Sequence, residues 1–342
     1  MTTCIMVERT LPVWVWPVVL VLALVGCVSD RGDSNSLSSD FTQIPPPNFT
    51  VAFIGDQGSN SDALAVLSLI RSEGADMVLH QGDFDYHDDP AAWDQRISDV
   101  LGPNFPYFAS IGNHDTLVWI GYQAKLADRL ARIPEAHCTG DLGVKSSCRY
   151  QGLFFILAGV GTMGSGHESY IRDELAQSDT IWRICSWHKN QKNMQIGGKG
   201  NATGWGVYEA CREGGAMIAT AHEHSYERTK TLIHMQSQSI DPDWPHPQQV
   251  RVAPGASFVV VSGLGGHSIR DQERCLPSTP PYGCNGEWAN IYSSNQGATH
   301  GALFCSFNVA ARPDQAHCYF KDIGGIVHDE FTITNFVAQA LQ

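Results

Sequence analysis

The chain has 342 residues, 43% of them hydrophobic and 17% charged, and it carries 33 glycines. Such a chain can bury a large core, as one big domain or two small ones, and its glycines point to a loop-rich fold with many tight turns. The formal net charge of -13 argues against nucleic acid as the main partner, because phosphate contacts need clustered Lys and Arg. A small anionic substrate stays open, since a metal ion can supply local positive charge.

In chain order, the first feature is a targeting segment. Arg9 precedes the apolar run LPVWVWPVVLVLALVGC, which is short for a membrane span and holds Pro12 and Pro17. It reads as the hydrophobic region of a signal peptide. Its end, Leu24-Val25-Gly26-Cys27, resembles a bacterial lipobox. That resemblance implies cleavage before Cys27, a lipid on the Cys27 sulfur and a periplasmic or cell-surface lipoprotein; a plain secretory signal or an uncleaved anchor are the alternatives. Residues 28–48 are polar and rich in Ser, Asp and Pro, a flexible tether in which Arg31-Gly32-Asp33 reads as a chance triplet. The remainder, 49–342, is read as a single domain.

From residue 49 a rhythm sets in of apolar strand, polar cluster and often a helix. FTVAFIGDQG is a strand running into a Gly-Asp loop, and SNSDALAVLSLIRSEG follows with a Ser/Asn cap and apolar Leu64, Leu67 and Ile70 at helical spacing. ADMVLHQGDFDY is strand and loop, AAWDQRISDVLG a helix, and PYFASIGNHD strand and loop again. LFFILAGV, IWRICSWHKN and GAMIATAHEH are further apolar runs, the last two with histidine-bearing tips. Beyond residue 257, FVVVSGLGG, ALFCSFNV, AHCYFKDI and HDEFTIT read mostly as strand and are expected to form a second sheet closing a sandwich. The alternation predicts α/β layers around a mixed sheet, with ligands at the carboxyl ends of strands.

Apart from Cys4 and Cys27, eight cysteines remain, an even number that fits an exported protein. Cys305 and Cys318 are spaced to face each other across a hairpin, Cys275 and Cys284 bracket LPSTPPYG, and Cys138 and Cys148 bracket another loop. Cys185 and Cys211 would then be the fourth pair. Zinc-binding thiolates are the rival reading, which the absence of any CxxC pair disfavours.

The polar tips, in order, are GDQG with Asp56, GDFDY with Asp83 and Tyr86, GNHD with Asn113, His114 and Asp115, WHKN with His188, and AHEH with His222 and His224. Carboxylate, amide, imidazole and phenolate donors suit borderline-hard ions such as Zn, Fe and Mn. Any one tip is commonly a turn or a structural histidine. The HxH pair is stronger, because i and i+2 at a strand end project to one side. The ordered set of five resembles the calcineurin-like metallophosphoesterase family, whose blocks are GDxG, GDxx, GNHD/E, a lone His after a strand, and GHxH. The resemblance spans roughly residues 49–230, with one departure, Ala221 in place of the usual Gly.

That resemblance implies a four-layer α/β/β/α sandwich with two mixed β-sheets and a two-metal site. Asp56 and His224 would ligate the first metal, Asp83 would bridge, and Asn113, His188 and His222 would hold the second. His114 would face the phosphate oxygens, stabilising charge or protonating the leaving group, with Asp115 orienting its ring. The implied nucleophile is a metal-bound hydroxide, and two cations about 3.5–4 Å apart clamp an in-line displacement at phosphorus. The spacing Asp83-x-x-Tyr86 matches the purple acid phosphatase branch, in which a tyrosinate binds Fe(III) and colours the protein. A phenolate suits only a strongly acidic ion. The resemblance thus implies Fe(III) in the first site and a divalent Zn, Fe or Mn ion in the second; the alternative is a tyrosine packed beside an all-divalent site.

Among the remaining residues, Asp88-Asp89-Pro90 reads as the cap of the helix starting near Ala91, while Asp85 and His87 stay unassigned. Lys189 is a candidate phosphate contact, with a solvated lysine as the alternative. His167, His267 and His300 sit among loop glycines with no ligand spacing. Asn48-Phe-Thr and Asn201-Ala-Thr are glycosylation sequons, relevant only where secreted proteins are glycosylated. The expected function is hydrolysis of small phosphate monoesters by an exported, lipid-anchored enzyme. A phosphodiesterase or nucleotidase on the same scaffold is the first alternative. A non-catalytic surface-binding protein is the second, and the filled ligand positions and His114 argue against it.

Overall fold

The computed structural model describes residues 44–337; the signal-like run, Cys27 and most of the tether lie outside them. Period-two alternation in the strands builds its layers. In Phe49–Ile54, Val51 and Phe53 join one apolar cluster with Phe155, Leu157 and Ile184, whereas Ala52 and Ile54 join another with Val66, Trp93 and Tyr122. In Leu153–Ala158, Phe155 and Leu157 face the shared inner cluster and Phe154 and Ile156 face the helix residues Ile171, Leu175 and Tyr208. The two sheets therefore pack on each other through one face and each carries helices on the other. The helices Ser61–Ser72, Pro90–Leu101 and Trp119–Leu130 cover the first sheet, and His167–Gln177 and Gly206–Glu213 cover the second.

The first sheet has seven strands in the order Gln249–Val252, Val327–Asn335, Arg312–Asp322, Gly301–Val309, Phe49–Ile54, Met77–His80 and Tyr107–Ala109. The second has eight, in the order Trp288–Tyr292, Tyr226–Thr229, Val259–Ser262, Met217–Thr220, Trp182–Trp187, Leu153–Ala158, Lys145–Tyr150 and His137–Asp141. Both are mixed. Phe49–Ile54 runs parallel to Met77–His80 and antiparallel to Gly301–Val309. Leu153–Ala158 is parallel to Trp182–Trp187 and antiparallel to Lys145–Tyr150.

One expectation is corrected. The tail beyond residue 257 is not a sheet of its own. Val259–Ser262 and Trp288–Tyr292 enter the second sheet, while the three strands between Gly301 and Asn335 extend the first beside Phe49–Ile54. The physical reason is that the first strand would otherwise expose an unpaired edge of N–H and C=O groups. Arg228 of the second sheet and Asp329 of the first join the two across the core. The guanidinium donates to the Asp329 carboxylate at 2.6 and 2.9 Å, and Tyr226 Oη donates to it at 2.7 Å.

Local signals read well. Asn60 caps the helix Ser61–Ser72, its Oδ1 accepting from Ala63 N–H at 2.9 Å, and Asp89 caps Pro90–Leu101, accepting from Ala92 N–H at 3.0 Å. In the first of these helices the buried face is Ala63, Val66, Leu67 and Ile70; Leu64 lies on the solvent side. All four expected disulfides are present, and Cys305 lies directly opposite Cys318 in the hairpin ladder. Cys185–Cys211 ties a strand of the second sheet to a covering helix. No helix among the described residues is long and apolar enough to cross a membrane.

Candidate metal centre

The strands Phe49–Ile54, Met77–His80, Tyr107–Ala109, Trp182–Trp187 and Met217–Thr220 end at one place, and the loop after each delivers polar side chains there. Two of the loops pack back to back, which explains their glycines. A Cβ on Gly112 would meet Asp83 N at 2.1 Å, and one on Gly82 would meet Gly112 N at 2.6 Å. Gly55 faces Ala221 so closely that an added Cβ would lie 2.3 Å from the alanine Cβ, so position 55 has no room for a side chain. Beyond the glycines the backbone is strained. Asp56, Asp83, Tyr86 and His222 have φ of 55°, 60°, 61° and 69°, a left-handed conformation that costs a side-chain-bearing residue energy and clusters at functional sites.

The side chains form two groups meeting at Asp83. In the first, Tyr86 Oη donates to Asp56 Oδ1 at 3.0 Å and to Asp83 Oδ2 at 3.3 Å, and lies 3.4 Å from His224 Nε2. His224 Nε2 is 3.2 Å from Asp56 Oδ1. In the second, His188 Nε2 is 3.1 Å from Asp83 Oδ2 and 3.1 Å from His222 Nδ1. Donor atoms of Asp83, His188 and His222 all lie within 4.8 Å of one another, a spacing that can hold a cation. Main-chain N–H groups brace both carboxylates: His222 N donates to Asp56 Oδ2, and His114 N to Asp83 Oδ1, each at 2.8 Å. Asn113, one residue earlier, keeps a buried Oδ1 with no hydrogen-bond partner. An orphaned carbonyl oxygen, two carboxylates, three imidazoles and a phenol fit a pair of cations. The other cluster with metal-like spacing, Cys275, Cys284 and Glu287, has its two sulfurs joined in a disulfide, so no thiolate is available there.

Electrostatics follow the packing. Burial alone would raise the Asp56 carboxyl, but His224, His188 and Lys199 outweigh it and hold it far below the ordinary range. Burial lowers the His222 imidazole, reinforced by His188 and Lys199. Burial and the charges of Asp56 and Asp83 push the Tyr86 phenol far up.

Two expectations about site residues change. Asp115 does not bond the His114 ring. Its carboxylate accepts from the main-chain N–H groups of Asp83, Phe84 and Gly112 at 2.9, 2.8 and 2.7 Å, because those turn amides have no ladder partner. The His222–His224 pair is not at a strand end with parallel side chains. The strand stops at Thr220, and the left-handed His222 sends the two rings to different groups. Lys189 makes no hydrogen bond or ion pair through its ammonium among the described residues, and Lys199 also approaches the donors, its Nζ donating to the His222 carbonyl.

The unassigned residues also resolve. Asp85 accepts from His87 N, Asp89 N and the Tyr122 hydroxyl, bracing the loop against the helix Trp119–Leu130. His87 is exposed. His167 bonds the Met163 carbonyl, and His300 pairs with Asp62 at 3.7 Å. His267 stacks on Tyr86, with ring centroids 3.5 Å apart and 8° between planes, and exposed His114 lies 4.5 Å from the same ring. Nothing in the spacing of His267 or Lys199 pointed here, because both contacts are long-range.

No curated protein matches the chain significantly. Among solved structures, a purple acid phosphatase from yellow lupin (Lupinus luteus) seeds aligns with TM-score 0.60 and 17% identity, covering 85% of this chain and 55% of that one. This chain therefore spans little more than half of the lupin protein. GAP50, the anchor in the inner membrane complex of Plasmodium, aligns with TM-score 0.53 and 14% identity, covering 84% and 89%. PhoD aligns with TM-score 0.53 and 11% identity, covering 85% and 71%. At these identities the likeness establishes the fold. The sequence profile described as calcineurin-like phosphoesterase matches residues 49–226, the stretch that supplies the loops converging on Asp83, and the chain belongs to that family.

Proposed function

We propose that the chain is an exported, binuclear phosphoesterase that hydrolyses phosphate monoesters in the manner of an acid phosphatase. The observation that carries this reading is the convergence of two donor groups on Asp83, with the orphaned Asn113 Oδ1 beside them. Asp56, Asp83, Tyr86 and His224 would hold one cation, and Asp83, Asn113, His188 and His222 the other. When bound, such a pair supplies Lewis acidity and lowers the pKa of a water for attack at phosphorus. Tyr86 argues for Fe(III) in the first position, because a phenolate among carboxylates is a good ligand only for a strongly acidic ion; Zn, Fe or Mn suits the second.

The protein groups divide the remaining work. His114 is exposed at the mouth and protonates the leaving-group oxygen. Asp115 keeps the two back-to-back loops in place, and so holds the Asp83 and His114 main chains at their working separation. Lys199 braces the His222 loop through the His222 carbonyl. The four disulfides support export. Lipid attachment at Cys27, a tether over residues 28–48 and one catalytic domain over 49–342 complete the proposal. One structural neighbour is described as an anchor, so the fold by itself does not make an enzyme. The filled donor set and His114 favour catalysis.

The test is metal analysis and a visible spectrum of the purified chain, run beside p-nitrophenyl phosphate and bis-p-nitrophenyl phosphate assays across pH. Two ions per chain, a pink to purple colour and faster monoester hydrolysis are expected. Faster diester hydrolysis would make it a phosphodiesterase, a colourless active protein without iron would remove the Fe(III) assignment, and a metal-free inert chain would leave a binding protein.

A further inference from the structure

We propose that the segment Leu264–Arg270 is a strap that sets the orientation of His224 and Tyr86, with Ser268 and His267 as positioning residues. The proposal rests on reading Asp56, Tyr86 and His224 as ligands of one cation. The strap follows the strand Val259–Ser262 and lies beyond the residues matched by the family profile.

Its backbone is fastened to two of the three loops that carry the first donor group, those of Asp56 and His224. Gly265 N donates to Gly55 O at 2.9 Å, His267 N to Asp56 O at 3.0 Å, and Arg270 N to His224 O at 2.9 Å. Asn60 Nδ2 donates to Gly266 O at 2.8 Å. The approach is too close for side chains. A Cβ on Gly263 would lie 2.0 Å from Glu223 O, and one on Gly265 would lie 2.4 Å from Gly55 O.

From this base two side chains reach the donors. Ser268 Oγ is 2.5 Å from His224 Nδ1, on the side of the ring away from Asp56 and Tyr86. An imidazole offers one nitrogen to a cation when the other is tied up as N–H, so accepting that N–H leaves Nε2 free to face the site. His267 lies flat on the Tyr86 ring at 3.5 Å. The Tyr86 hydroxyl is held by Asp56 and Asp83, and the stack fixes the plane of its ring. Neither residue is proposed to touch substrate.

The experiment compares the full chain with S268A, S268T, H267A and H267F. It measures metal per chain, chelator-competition affinity for each ion, and the visible spectrum. The wild type is expected to hold two ions. S268A should weaken one of them about 10- to 100-fold and leave the other unchanged, the size associated with partners behind a ligand. S268T, which keeps the hydroxyl, should restore the affinity. H267A should weaken the same ion and H267F, which keeps a stacking ring, should restore it. S268A and H267A with wild-type affinities for both ions would overturn the strap alone. So would an S268T no better than S268A, since that result means lost packing. A wild type that takes up no metal would overturn the functional reading together with the strap.

Discussion

The donor loops and the hairpin tail of the first sheet are held together differently. In the tail, Gly301–Val309, Arg312–Asp322 and Val327–Asn335 form an antiparallel ladder whose buried face includes Leu303, Cys305, Phe307, Cys318, Phe320, Phe331 and Ile333, with a disulfide across the first pair. In the donor loops, five residues with side chains sit at left-handed φ and Asn113 keeps a buried Oδ1 with no partner, whereas in the tail such features gather at one hairpin turn, at Asn308, Ala310 and Ala311. Regular pairing and apolar burial stabilise the tail. The loops hold strained backbones and unpaired donors, which the surrounding ladders offset. Damage to the loops should therefore abolish chemistry with little loss of fold, and damage to the tail should do the reverse.

The largest effect is expected from Asp83→Ala, which removes the residue common to both donor groups. Metal content should collapse and turnover should fall by more than the roughly 10²-fold associated with partners behind a ligand, read by metal analysis and steady-state assay. A variant with full metal content would break the assignment of Asp83. His114→Ala comes next, lowering kcat by about 10²–10⁴ as expected for loss of a general acid, with metal content near normal. Loss of metal in that variant would mean that His114 is itself a ligand.

On the other side of the comparison, Asp329→Ala strands the Arg228 guanidinium in the core and should destabilise the fold by about 3–5 kcal/mol in denaturant titration, with metal binding in the folded fraction preserved. The smallest effect concerns Glu73, at the end of the helix Ser61–Ser72, which accepts from Lys321 Nζ and Tyr319 Oη of the tail, each at 2.8 Å. Burial would raise its carboxyl, but these two donors outweigh it and hold the pKa below the ordinary 4.5. A lowered folded-state pKa stabilises above the unfolded value, and that stability is lost as pH falls through the folded one. Glu73→Gln should thus cost about 1 kcal/mol at neutral pH, and the difference from wild type should close as the pH drops below 4.5. A difference that does not depend on pH would show that the carboxylate charge plays no part.

Much of this protein was legible without coordinates. The caps at Asn60 and Asp89, the strand alternation and the pairing of Cys305 with Cys318 each depend on neighbours a few residues away or on one hairpin. The donors Asp56, Asp83, Tyr86, Asn113, His188, His222 and His224 were readable as a set because each follows a strand, and strands in such a sheet end side by side. The least legible part was the division of the tail between two sheets, since FVVVSGLGG and ALFCSFNV have similar apolar patterns and only edge pairing separates them.

Sequence by itself determined the kinds of donor available, the strands that carry them and the family to which they belong, because those properties are local or follow from the order of the strands. Tertiary structure alone decided what each donor meets. It turned Asp115 toward three main-chain amides, brought Lys199 to the His222 carbonyl, and laid His267 on Tyr86 and Ser268 on His224. Those contacts join segments far apart in the chain, where spacing and periodicity have no reach, and they depend on glycines that let one backbone approach another.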